Sequence, residues 1–129
     1  MQSFDANGQP KTRPINAQIQ PATNGESAVS TSGGTITLTL AAPGAGKFHY
    51  ITAIVIQRTA GTGAANSVTT TNLDGSPAFL FETTESAHLV IAPTSPIKST
   101  TANTATTFVA PAVVAVTWRM TVWFYTDIG

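Results

Sequence analysis

The stretch that most limits what this chain can become is Val113 to Tyr125, close to the C-terminus. From Val114 its even positions read Val114, Val116, Trp118, Met120, Val122 and Phe124, all apolar. Its odd positions read Val113, Ala115, Thr117, Arg119, Thr121, Trp123 and Tyr125. A period of two belongs to a β-strand, because successive side chains leave opposite faces of the pleat. The even face predicts a side turned to a core. The odd face is small, threonine-rich and nearly uncharged, yet it carries Trp123 and Tyr125. It suits neither a core nor open water, and it predicts a surface that another chain covers.

The same period recurs upstream. Thr35 to Leu40 alternates, with Ile36, Leu38 and Leu40 expected inward. Pro43-Gly44-Ala45-Gly46 reads as a turn. Lys47 to Arg58 reads as one long strand. Its even face is Phe48, Tyr50, Thr52, Ile54 and Ile56; its odd face is His49, Ile51, Ala53, Val55 and Gln57. Both faces are largely apolar, which predicts a central strand covered on two sides, with Ile51 and Val55 at a subunit contact. Further strands are expected over Ser67 to Leu73, Phe79 to Phe81, His88 to Ala92, Pro96 to Ser99 and Thr104 to Val109. Turns are expected at Asp74-Gly75 and from Thr83 to Ser86, with stops at Pro93 and Pro111. About eight strands joined by short turns predict an all-β fold: an antiparallel β-sandwich, most naturally a jelly roll.

A chain of 129 residues suits one domain. Charged residues make up 9% of it, against roughly 25% in ordinary soluble domains. Thr, Ser, Asn, Gln and Ala take their place. With a formal net charge of +0, little repulsion opposes association, which favours an oligomer or an assembly component. No basic stripe is present to grip nucleic acid. The absence of cysteine removes disulfides and thiolate zinc sites. The longest apolar run, AVVAV, is far below the ~20 residues of a membrane span. The opening MQSFDANGQP lacks the apolar core of a secretory signal.

The chain divides near Gly33-Gly34. Residues 1–33 are polar and punctuated by Pro10, Pro14 and Pro21, which fix φ and remove backbone donors. Their apolar residues (Phe4, Ile15, Ile19, Val29) are too sparse for a core. This predicts an extended N-terminal arm, with residues 34–129 as the sandwich. The spaced apolar anchors favour an arm ordered against a neighbour over a solubilising tail.

Motifs that carry chemistry are weak. Gly44-Ala45-Gly46-Lys47 hints at a phosphate loop, but that loop requires glycine where Ala41 stands and Ser or Thr where Phe48 stands. A glycosidase needs two facing carboxylates; Asp74 with Glu82 is the best pairing available. His49 and His88 lie in strands among apolar neighbours, so packed or interface histidines are expected. If both were buried at a contact, assembly would respond to pH. No GxSxG nucleophile motif and no Asp-rich metal loop occurs. The expectation is a non-enzyme without cofactor or metal.

Arg119 shares a face with Trp123 and Tyr125. Arg and Trp are both enriched at interface hot spots. The expected contact therefore comprises Arg119, Trp123, Tyr125, Ile51 and Val55, with Arg119 facing a neighbour's carboxylate such as Glu82 or Asp127. The competing reading makes Trp123 and Tyr125 a sugar-stacking platform on a carbohydrate-binding sandwich.

From Ala42 to Tyr125 the chain resembles small bacteriophage structural proteins. The resemblance is carried by Pro43-Gly44-Ala45-Gly46-Lys47-Phe48-His49-Tyr50-Ile51-Thr52 and by the Asp74-Gly75 turn. Pro96-Ile97-Lys98-Ser99-Thr100 with Asn103-Thr104-Ala105, and the closing strand Val116 to Val122, complete it. The pattern is similar to that of head decoration (cement) proteins of the jelly-roll type, and other virion parts (tail, connector, fibre) share it. The resemblance implies a place on the outer capsid surface, commonly as a homotrimer, clamping neighbouring major capsid proteins. It implies that the arm lies across the shell, with Phe4, Lys11, Arg13, Ile15 and Ile19 as contacts. With no basic stripe and no apolar run of membrane length, neither nucleic acid nor a membrane is expected as a partner. One departure stands out: related chains end the last strand in Gly-Tyr, and this chain has Phe124-Tyr125.

Overall fold

The computed structural model describes residues 23–61, 66–81 and 85–129. These form nine strands: β1 (Asn24–Val29), β2 (Ile36–Leu40), β3 (Lys47–Arg58), β4 (Asn66–Thr71), β5 (Ala78–Phe81), β6 (Ala87–Ile91), β7 (Ile97–Lys98), β8 (Thr106–Ala110) and β9 (Trp118–Ile128). One sheet runs β1-β9-β3-β6, with β7 also paired to β3; the other runs β2-β8-β4-β5. Every pairing is antiparallel. The two sheets make an antiparallel β-sandwich with the core between them.

The alternating strands behave as their patterns require. In β2, Ile36, Leu38 and Leu40 are buried while Thr37 and Thr39 are exposed. In β9 and just before it, Val116, Trp118, Met120, Val122 and Phe124 are buried. Facing them from the other sheet are Val68 and Phe108, and Phe81 meets Trp118 edge-on at 5.3 Å. Burying such side chains is worth about 1.5–3 kcal/mol each before entropy is counted. Glycine supplies the positive φ at two of the turns. Gly44 and Gly46 have positive φ, and Lys47 N–H donates to Gly44 C=O at 3.0 Å. That turn carries the chain from β2 of one sheet to β3 of the other, and a strand follows it where a phosphate loop would open a helix. Gly75 also has positive φ in the Asp74 turn, closed by Ser76 N–H to Leu73 C=O.

Three expectations are corrected. The last strand begins at Trp118, not Val113. Val113 to Val116 is a turn closed by Val116 N–H to Val113 C=O, with Ala115 at φ 64°. Alternation alone does not distinguish a strand from the turn that feeds it, and Val114 is 72% exposed instead of inward. The strand continues past Tyr125 to Ile128.

The sandwich also begins before residue 34. Asn24–Val29 pairs along β9 as an edge strand. An edge strand needs backbone partners on one side only, so its few apolar residues do not exclude it. Ser30 then accepts Trp118 N–H on Oγ and donates its own N–H to Trp118 C=O, sealing the end of the pair.

The third correction concerns β3. Its register against β9 shifts between Ile51 and Ala53. A bulge inserts one extra residue and reverses which positions face the core. The inward set is His49 and Ile51 before the bulge, then Ile54, Ile56 and Arg58 after it. The bulge changes which residues lie on each face, and the outward one still carries Phe48, Tyr50, Ala53 and Val55.

Candidate functional site

Cross-strand partners share a face, so the register lays out the outer surface of the five-stranded sheet row by row. One row runs Val29, Arg119, Gln57, His88. The next runs Ser27, Thr121, Val55, Val90. Then come Gly25, Trp123 and Ala53. Tyr125, Tyr50 and Lys98 follow, and Asp127 with Phe48 closes the set. The charges sit at the margins, and the middle is aromatic, aliphatic or hydroxyl.

The aromatic part is built by neighbours that leave room for it. Gly25 has no side chain where one would lie 3.4 Å from Trp123 Nε1, so the indole edge rests over β1. Trp123 is 39% exposed. Tyr50 and Tyr125 stack at 5.0 Å with an 8° angle between rings. Tyr50 Oη donates to Ile128 C=O at 3.2 Å. Burial against these neighbours, then the Asp127 carboxylate and Tyr125, push the Tyr50 phenol above its ordinary pKa. Lys98 Nζ lies 4.1 Å from the Phe48 ring centroid, a cation–π contact. Val90 (59%) and Val29 (53%) extend the apolar area to the two lateral edges.

Of the residues expected at a contact, the structure gathers Arg119, Trp123, Tyr125 and Val55 on this face. Ile51 does not belong with them: it precedes the bulge and is fully buried between the sheets, where no second chain reaches it. Phe4, Lys11, Arg13, Ile15 and Ile19 lie outside the described residues, as does Glu82. Arg119 is exposed and makes no ion pair or hydrogen bond among the described residues. Tyr50, Phe48, Gly25 and Val90 were not singled out from sequence. Tyr50 was visible on the even face of β3, but the bulge concealed that Tyr50 and Val55 lie on one side.

The other sheet turns a different surface outward. Its rows read Thr37, Val109, Thr69, Ala78 and Thr39, Thr107, Thr71, with Ser67 beside Leu80. The Thr71 and Thr107 hydroxyls bond each other at 2.6 Å. None of these residues is charged or aromatic.

The remaining chemically active groups are scattered or enclosed. His49 is fully buried in the core, edge-on to Phe124 at 5.6 Å. Its Nε2 lies 2.8 Å from Ala41 C=O and its Nδ1 2.8 Å from Thr106 Oγ1. The neutral ring with Nε2–H donating satisfies both, and desolvation lowers its pKa against the opposing pull of Ala41. His88 is exposed at the sheet margin. The two histidines therefore do not form a shared contact. Arg58 is 3% exposed. Its Nη1 donates to Asn66 Oδ1 at 3.1 Å, and the guanidinium lies 5.6 Å from the Trp118 ring. Its buried Nη2 has no partner among the described residues. Among those residues no three His, Cys, Asp or Glu side chains converge on a metal position. Compared with known proteins, the chain matches no family model, no curated protein and no solved structure.

Proposed function

We propose that this chain is a virion structural protein: a decoration component that binds the outer surface of a bacteriophage head and clamps neighbouring major capsid proteins. The observation that carries the reading is the outer face of the β1-β9-β3-β6 sheet. It combines exposed Trp123, Val90 and Val29 with stacked tyrosines and almost no charge in its centre. Contiguous exposed apolar patches mark interaction sites, and a charge-depleted centre with aromatic anchors is the composition of an interface core. The reading assigns the chain no catalysis and no cofactor. Its partners are further copies of itself and the capsid protein.

The strand order supports reading the sandwich as a jelly roll: β1, β9, β3, β6 in one sheet and β2, β8, β4, β5 in the other, with β6 and β7 counted as one interrupted strand, give eight strands in two sheets. Mixing the purified protein with decoration-free phage heads tests the reading. Binding, with a rise in the temperature at which the heads release DNA, is expected. Heads that neither bind it nor gain stability refute it.

One observation favours a second reading, a carbohydrate-binding sandwich: Tyr50 joins Trp123 and Tyr125 on one open face. Against it, the Tyr50 and Tyr125 ring faces are turned to each other, so they are not both free to stack on a sugar. Trp123→Ala separates the two. Loss of self-association supports assembly; loss of glycan binding with the oligomer intact supports the sugar platform.

A further inference from the structure

The outward row of β9 reads Arg119, Thr121, Trp123, Tyr125, Asp127. It is antisymmetric in charge about Trp123: a cation stands four residues before the indole and an anion four residues after it. We propose that the occupant of this face is the same face of a second copy, related by a two-fold axis that passes Trp123 and runs across the strands. The inference rests on the assembly reading of this face and adds the geometry of the contact.

The charges choose the axis. Two sheets packed face to face by a two-fold must have that axis lying between them. If it runs along the strands over β9, Arg119 meets Arg119 of the mate and Asp127 meets Asp127, which electrostatics opposes. If it runs across them, each strand lies antiparallel over its mate. Arg119 then stands over the mate's Asp127, and the pairing occurs twice, as an isologous contact requires. Both side chains are exposed, and Arg119 has no partner of its own among the described residues. The same operation brings Thr121 and Val55 over the mate's Tyr125 and Tyr50, β-branched side chains against aromatic rings, and sets Val90 over the stem of the mate's Lys98 at the margin. Trp123 falls on Trp123. Aligned sheets pack at about −30°, which displaces the charged ends sideways by several ångströms, a gap of the order that an arginine side chain spans.

The area is of the right order. Four strands about 4.8 Å apart, over the span from Arg119 to Asp127 at about 3.3 Å per residue, give a plane on the order of 500 Å² before side-chain relief. A standard interface removes about 800 Å² per partner.

Charge exchange tests the axis. The dissociation constant of the self-complex is measured by sedimentation for the whole chain and its variants, with circular dichroism and Tm confirming that each is folded. Arg119→Asp and Asp127→Arg are each expected to weaken self-association at least tenfold at low salt. The double variant restores the pairs in the opposite sense and is expected to return to within about threefold of the parent. Singles that leave the constant unchanged, a double as weak as the singles, or a parent that stays monomeric overturn the two-fold. If head binding is still lost on Trp123→Ala in any of those cases, the face remains a contact with the shell and only the self-pairing is wrong. If Trp123→Ala changes neither, the assembly reading of the face has failed as well.

Discussion

The two outer faces of this sandwich are made on the same pleated frame and differ in what the frame displays. On the β2-β8-β4-β5 face, threonines alternate with Val109, Ala78 and an isolated exposed Leu80, and hydroxyl meets hydroxyl across strands, as in Thr71 with Thr107. Apart from Leu80, such a surface satisfies itself and water together. On the β1-β9-β3-β6 face, an indole, two stacked phenols and two exposed valines stand where water has little to offer them. Gly25 lies under the indole edge, where an added Cβ would sit in van der Waals contact with Trp123 at 3.4 Å. Low charge is common to both faces and so does not mark the contact. Exposed aromatic area with charge only at the margin does.

The contrast can be broken by substitution. The largest effect is expected from Trp123→Ala, which removes the central anchor of one face. Hot-spot aromatics cost about 2 kcal/mol or more on truncation, on the order of thirtyfold in affinity. Sedimentation measures it, with circular dichroism confirming that the variant is folded. Next in size is a matched pair that adds one charge to each face. Thr121→Lys is expected to weaken self-association at least tenfold, and Thr39→Lys to leave it within about twofold, because surface substitutions outside a contact stay within about 0.5 kcal/mol. Equal effects from the two would erase the distinction between the faces.

The core between the faces gives a third test. Burial lowers the His49 pKa, so below about 6.5 the unfolded chain takes up a proton that the folded chain refuses. Stability is then full above that pH and falls as the pH drops toward the lowered folded value. The loss is at most about 1.4 kcal/mol per pH unit. Denaturant unfolding between pH 7.5 and 5 is expected to show the slope in the parent. His49→Gln, less stable at pH 7, is expected to lack it. The smallest effect belongs to Thr71→Val, which removes one hydroxyl from the Thr71–Thr107 pair at part-exposed positions. It is expected to cost about 0.5 kcal/mol or less and to leave self-association untouched, both readable from unfolding and sedimentation.

Much of the fold was legible where alternation was unbroken. Ile36, Leu38 and Leu40, and Trp118 to Phe124, pointed inward as their spacing required. The candidate face was partly legible for the same reason: Arg119, Trp123 and Tyr125 share the outward side of one uninterrupted strand. What escaped depended on backbone events that side-chain identity does not encode. A bulge near Thr52 sent Ile51 inward while leaving Val55 outward. A left-handed Ala115 made a turn of residues that read as strand. Edge strand β1 is held by backbone pairing to β9, so its sequence carries little apolar signal. Tyr50 and Gly25 join Trp123 only through register, which is a property of pairs of strands and not of either one alone.

Sedimentation equilibrium of the whole chain across about two decades of concentration bears most directly on the claim that a second protein surface covers the β1-β9-β3-β6 face. Self-association that is lost in Trp123→Ala and kept in Thr39→Lys is predicted. A parent chain that sediments with the mass of one copy throughout, and whose binding to decoration-free heads is unchanged by Trp123→Ala, would contradict it.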